Sequence, residues 1–171
     1  SDGTPLAVAC ARTLHTVLAR CIAVVDDSGS DVAQMLSAEG LQVVTNARAR
    51  EGMGTSIACG VNASPESHGW IIALADMPDI PVDIVQSVAD GLVCGADIIA
   101  PVCGGRRGHP VGFAPGHADA LLALHVDHGA RDIIAAHRES LVLVDTPDTG
   151  VIRDIDTPAS LADSQVADNI D

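Results

Sequence analysis

Apolar residues fall into short runs separated by amphipathic stretches. Cys21–Val25, Leu41–Thr45, Gly69–Ala75, Ala96–Val102, Val111–Ala114 and Leu141–Asp145 are apolar at nearly every position. Such runs are too short for helices and are bounded by Gly, Pro, Asp or Asn, so they predict strands buried on both faces. Between them the spacing predicts helices from Thr4-Pro5 to about Arg20, from Ser30 or Asp31 to Gly40, over Gly52–Ala63, from Pro81 to Gly91–Gly95, and over Asp119–Leu124 and Arg131–Arg138. Thr157-Pro158 predicts the cap of a terminal helix, followed by a polar tail from Ser164 to Asp171. Strands alternating with helices predict an α/β domain with a mostly parallel sheet covered on both sides. With 171 residues and neither repeat nor linker, residues 1–171 form one domain.

This architecture locates the chemistry. In open α/β sheets the ligand sits beyond the carboxyl ends of the strands. The residues there are Asp26, Asn46, Asp76 and the loop Gly104–Pro110, a set that suits a metal ion and a phosphate.

Composition narrows the partners. There are 23 acidic residues against nine cations, all Arg, for a net charge of −14. So acidic a surface repels nucleic acid and anionic lipid, and an anionic ligand needs a local cluster of Arg, backbone amides or a metal. With one Trp, one Phe and no Tyr, there is no base-stacking platform. No apolar run nears the roughly 18 residues of a membrane span. The five cysteines are odd in number and scattered without a CxxC, which argues against a disulfide framework and for a reducing, cytoplasmic setting. Four of them read as small buried hydrophobes. His125 and His128 could share a helix face, but no third metal ligand accompanies them.

Four segments carry candidate chemistry. In Leu74-Ala75-Asp76-Met77-Pro78-Asp79-Ile80-Pro81, a carboxylate directly after the most apolar strand is held as a Mg²⁺ ligand should be, or it caps an ordinary turn. In Glu51-Gly52-Met53-Gly54-Thr55-Ser56, two glycines before a helix leave amides open to a ligand, or merely turn the chain. In Gly104-Gly105-Arg106-Arg107-Gly108-His109-Pro110, two of nine arginines share a glycine-rich loop, which favours an anionic partner. In Arg153-Asp154-Ile155-Asp156-Thr157-Pro158, Asp156 is either an acidic residue at a helix start or a second metal carboxylate.

In this order, GMGTS, LADMPDIP, RRGHPVGF and DIDTP resemble the MobA-like nucleotidyltransferases, most closely their molybdenum cofactor cytidylyltransferase branch. The resemblance runs from about Thr4 to Leu161. It implies a Rossmann-like three-layer fold of the nucleotide-diphospho-sugar transferase type with a mixed, mostly parallel sheet. It also implies Mg²⁺ as cofactor and a nucleoside triphosphate, CTP by this branch, as donor. Asp76 and Asp156 would be the catalytic metal ligands; Asn46, Gly52, Met53, Gly54, Thr55 and Ser56 would line the nucleotide; Arg106, Arg107, Gly108, His109 and Pro110 would face the second substrate or the phosphates. The implied reaction moves a cytidylyl group to a molybdopterin-type cofactor and releases pyrophosphate, with a molybdoenzyme or its chaperone as a further partner. Guanylyl or other transfer to another phosphorylated acceptor, or a catalytically silent molybdenum-cofactor-binding module, are the alternatives. The family's opening strand and Gly-rich loop, roughly LAAGxSxRMG followed by Lys, has no counterpart after Ser1-Asp2-Gly3, and the sequence has no Lys. The expectation is a chain recorded without that element.

Overall fold

The computed structural model describes residues 4–125, 127 and 129–155. The order is α1 (Leu6–Val17), β1 (Ile22–Val25), α2 (Asp31–Ala38), β2 (Gln42–Thr45), α3 (Met53–Asn62), β3 (Trp70–Ile72), α4 (Val82–Val93), β4 (Ile98–Cys103), β5 (Arg106–Arg107), β6 (Val111–Phe113), α5 (Ala118–Leu122), α6 (Arg131–Ala136) and β7 (Leu141–Asp145). Each expected element in this range is present, with frayed ends trimmed. Pro5 and Pro81 are the N-caps of α1 and α4, not first-turn residues. β3 is shorter than the apolar run 69–75, because the chain turns towards Asp76 after Ile72. The terminal helix at Thr157-Pro158 and the tail lie outside the described residues, as does His128.

The strands form two sheets. β1 and β2 pair in parallel, Ile22 opposite Gln42 through Val25 opposite Thr45. The larger sheet runs β3-β6-β4-β5, with β7 on the other edge of β4. β7 is parallel to β4; β6 is antiparallel to both β3 and β4. The larger sheet is therefore mixed, and the smaller one is parallel. β5 is a hairpin arm absent from the sequence expectation. Gly104 and Gly105 both take positive φ (56° and 79°), which a two-residue turn matched to strand twist requires. They fold Arg106 opposite Cys103 and Arg107 opposite Val102.

The main core lies around β4, buried along its whole length, and around Phe113, with Ile98, Ala100, Val111, Leu121, Ile133 and Ile134 packed together. Two helices join the sheets. α1 packs on β1 through Val8 and Ala11, and its Leu14 and Val17 reach Leu74, Met77 and Val85. On the other side of β1, Gly60 of α3 lies against Val24, while Ile57 and Val61 enter the core with Trp70 and Ile72. Among the described residues, β1 and β3 each hydrogen-bond a neighbour along one edge only, and both stay half-buried. At the amino end of β4, Asp97 accepts from the Ser140 hydroxyl (2.6 Å) and pairs with buried His117 (2.9 Å). This staples β4, β7 and the segment after β6 at the end remote from Asp76.

At the opposite end three remote segments are clamped by backbone contacts. The His109 N–H donates to Val151 O (2.8 Å), and the Ile155 N–H to Asp76 O (2.9 Å). The contacts are so close that a Cβ on Gly108 would stand 2.1 Å from Val151 O, and one on Gly150 2.1 Å from Asp79 O. Gly108→Ala should therefore cost at least the roughly 1–3 kcal/mol typical of overpacking. Gly116→Ala, where a Cβ meets open space, should fall within about 0.5 kcal/mol of the parent. Denaturant melts of both variants check the clamp; equal stabilities would refute it.

Candidate active site

The acidic half of the site follows β3. The Asp76 backbone carbonyl is fixed by Ile155, yet its carboxylate oxygen Oδ1 is buried with no hydrogen-bond partner. A buried anionic oxygen without a donor is costly. A divalent cation bound there would satisfy it, so the chemistry of the residue fits the metal role expected of it. Three residues on, Asp79 pairs with Arg153, whose Nε is itself buried and unpartnered. Asp156 follows Ile155 in sequence but lies outside the described residues.

His109 stands beside this group, and its peptide bond to Pro110 is cis. The ring bonds the Ile72 backbone carbonyl, and its Nδ1 is buried and unpartnered. Burial, chiefly, holds the imidazole below its ordinary value; the nearby Arg107 charge pushes the same way, while the Ile72 carbonyl and Asp76 oppose. Burial thus favours the uncharged form of the His109 ring. Arg106 and Arg107 are exposed on the hairpin and form no ion pair among the described residues. Gly108 and Pro110 are buried and serve the clamp. Cys10 of α1 lies under this site and donates to Ala75 O (3.3 Å). Burial raises its thiol to about 11, which excludes it as a nucleophile at neutral pH. The structure buries Cys10, Cys21 and Cys103, half-buries Cys59 and exposes Cys94, so the expectation of four buried thiols is one too many.

The second half lies where β2 enters α3. Gly52 (φ 130°) is the N-cap of α3, and Gly54 is already inside the helix and buried, so only the first of the two glycines shapes the entry. Asn46 is buried and its amide is fully used. It donates to Thr55 Oγ1 (2.9 Å) and Ser56 Oγ (3.0 Å), and its Oδ1 accepts from the Arg48 N–H (2.9 Å). Thr55 is buried as well; its hydroxyl meets the Arg48 and Gly52 carbonyls, each at 2.9 Å. These two side chains thus hold the loop in place. Half-buried Ser56 and exposed Met53 remain accessible. Ser56 opens into a cleft of about 540 Å³ lined also by Val24, Val25, Asp26, Ser30, Val32, Ala49 and Arg50. Ligand pockets are commonly about 300–1,000 Å³. Arg50 was not among the residues singled out from sequence; nothing in its local pattern distinguishes it from a surface cation.

The model of the MobA-like NTP transferase domain matches residues 1–141. The chain belongs to this family. No curated protein matches the sequence significantly. Among solved structures, Rv0371c from Mycobacterium tuberculosis H37Rv superposes with a TM-score of 0.80 at 19% identity, over 96% of this chain and 85% of that one. The same protein is also known in complex with manganese. Molybdopterin-guanine dinucleotide biosynthesis protein A from Archaeoglobus fulgidus gives 0.59 at 16% identity, over 87% and 79%. A CMP:2-keto-3-deoxy-manno-octonic acid synthetase complexed with CTP gives 0.72 at 12%, over 98% and 90%. The fold is that of the nucleotide-diphospho-sugar transferases, and a MobA-like NTP transferase domain is a nucleotidyltransferase. Among the described residues, no helix is long and apolar enough to cross a membrane.

Asn46→Ala would strand the Arg48 N–H and remove the amide donor that Thr55 Oγ1 and Ser56 Oγ share. It should cost about 1–3 kcal/mol for each group left buried and unsatisfied. Thermal or denaturant unfolding measures this; an unchanged melt would refute the structural role of Asn46.

Proposed function

We propose that this MobA-like protein transfers a cytidylyl group from CTP to the terminal phosphate of a molybdopterin-type cofactor and releases pyrophosphate. The observation carrying the reading is the buried, donorless Asp76 Oδ1 at the strand end that also presents the unpaired Arg106 and Arg107. Asp76 would hold Mg²⁺ or Mn²⁺, and Asp156 would be the second carboxylate. In support, Ile155, its neighbour in sequence, hydrogen-bonds the Asp76 carbonyl. A bound cation supplies charge neutralisation on the phosphates. The attacking phosphate is already anionic, so the protein needs no strong base, and His109 is not required as one. The protein's own task is positioning: the loop Gly52–Ser56 and the Ser56 cleft receive the nucleotide, and Arg106 and Arg107 pair with phosphate oxygens through bidentate forks.

CTP is preferred on the resemblance of GMGTS and RRGHPVGF to the cytidylyltransferase branch, and a molybdoenzyme or its chaperone would receive the product. The five free thiols suit a reducing cytoplasm. The same proposal includes a further strand with a Gly-rich loop ahead of Thr4. The open edges of β1 and β3, bridged by α1 and α3, support it, since a strand there would finish burying two apolar strands.

The test is pyrophosphate release by the full-length protein given a molybdopterin-type cofactor, a divalent metal, and CTP or GTP. Turnover with CTP is expected; clear GTP preference would make the protein a guanylyl-transferring relative. Asp76→Asn keeps the shape and removes the charge. It should lower turnover by about 100-fold or more, the scale of losing one key electrostatic contact, and weaken Mn²⁺ binding seen by electron paramagnetic resonance. Its melt should stay within about 0.5 kcal/mol. Near-normal activity in this variant would overturn the metal assignment.

A further inference from the structure

Asp76 sits in irregular chain. Residues 73–81, between the end of β3 at Ile72 and the start of α4 at Val82, belong to no helix or strand. No regular element fixes its carboxylate, so the position depends on what this loop is tied to. The tie is the segment 150–155, which runs antiparallel to it. At one end Asp76 O accepts from the Ile155 N–H at 2.9 Å. At the other the Asp79 carbonyl stands against Gly150, where a Cβ would lie 2.1 Å from it. Between these points the Arg153 guanidinium donates through Nη2 to Asp79 Oδ2 at 2.5 Å. The backbone bond holds the Asp76 end of the loop, and the ion pair is the polar tie at the Asp79 end. Arg153 is 39% exposed, yet its Nε is buried, so the base of the guanidinium is enclosed by the clamp rather than free in solvent.

We propose that the Asp79–Arg153 ion pair positions the cation site: it pins the far end of the loop so that Asp76 Oδ1 meets a divalent cation, acting through the backbone and not as a ligand. The inference rests on the metal reading of Asp76. A single hydrogen bond at Ile155 lets the loop pivot; a second tie three residues on removes that freedom, and a hard cation's affinity depends on how firmly its oxygens are held. The sign of the charge makes the role separable from electrostatics. Arg153 is a cation beside a proposed cation site, so by charge alone its removal would strengthen metal binding. Positioning demands the opposite.

The test is Mn²⁺ binding to the full-length protein, without nucleotide, followed by electron paramagnetic resonance. Arg153→Met keeps an unbranched stem and removes the fork. It should weaken Mn²⁺ about ten-fold, the scale of losing a residue that orients a metal ligand, while the unfolding midpoint moves little, since a partly exposed ion pair adds little to stability. Asp79→Asn, whose amide oxygen still accepts from Arg153, should lose less. The swap Asp79→Arg/Arg153→Asp should recover part of the loss. Arg12→Met breaks the remote Arg12–Glu39 pair, removes the same charge, and should leave Mn²⁺ binding within two-fold of the parent. Unchanged or tighter Mn²⁺ binding in Arg153→Met would overturn the positioning role, as would an equal loss in Arg12→Met. Asp76→Asn keeps the two failures apart. If it loses Mn²⁺ and Arg153→Met does not, the metal reading stands and the positioning role falls. If it binds Mn²⁺ as the parent does, or the parent binds none, the metal reading falls and takes the positioning role with it.

Discussion

The site depends on a backbone clamp. Asp76, His109 and Val151–Ile155 are far apart in sequence, yet two main-chain hydrogen bonds and two glycine contacts hold them against one another. Backbone atoms are the least mobile donors and acceptors a protein has, and contacts too close for a Cβ leave no room for the loops to slide. The Asp76 carboxylate inherits this rigidity. A side chain meant to meet a highly charged ligand has to be placed before the ligand arrives, because reorganising it during binding would consume the interaction. The clamp also explains why Gly108 and Pro110 are buried rather than presented to a substrate: they hold the loop from which the Arg106–Arg107 arm projects.

Hydrogen-bond accounting separates the residues that build the site from those that remain free to use it. Asn46 and Thr55 spend their polar atoms on neighbouring groups, tying β2 to the first turn of α3. Asp79 and Arg153 spend theirs largely on each other. What remains unspent is Asp76 Oδ1, His109 Nδ1, Arg153 Nε, and the hairpin guanidiniums. An unsatisfied buried atom is expensive, and structures carry few of them without cause. Three of them gathered around Asp76, His109 and Arg153 are what single this end of the sheet out as the candidate site.

Much of this was legible in the sequence, and the gaps have physical causes. Apolar runs such as Ala96–Val102 and caps such as Ser30 gave the alternation of strands and helices, because local pattern and burial agree there. The mixed pairing was harder: antiparallel β6 sits between β3 and β4 and is as apolar as a parallel strand, being buried on both faces. The β5 arm went unseen because two exposed arginines have no alternation to show, although the Gly104-Gly105 turn was its signal. Asp76 could be found because it follows an apolar run. Asn46 was found for the right place but its amide is used within the fold, which only its three partners reveal. Arg50 was not found, since its place beside Ser56 is a tertiary fact.

The electrostatic constraint explains why so few cations have to be so well placed. At −14 the protein repels a triphosphate at long range, and salt weakens but does not invert that field. Attraction therefore acts only within the site, where distances are short and screening is least effective. Several of the nine arginines are neutralised locally: Arg12 by Glu39, Arg48 by Glu51 and Arg153 by Asp79. Solvated pairs of this kind are worth about 0–1 kcal/mol and leave little field for a ligand. Among the described residues the hairpin arginines have no such partner, and that unspent charge is why the proposed function assigns an arriving phosphate to them rather than to the paired arginines.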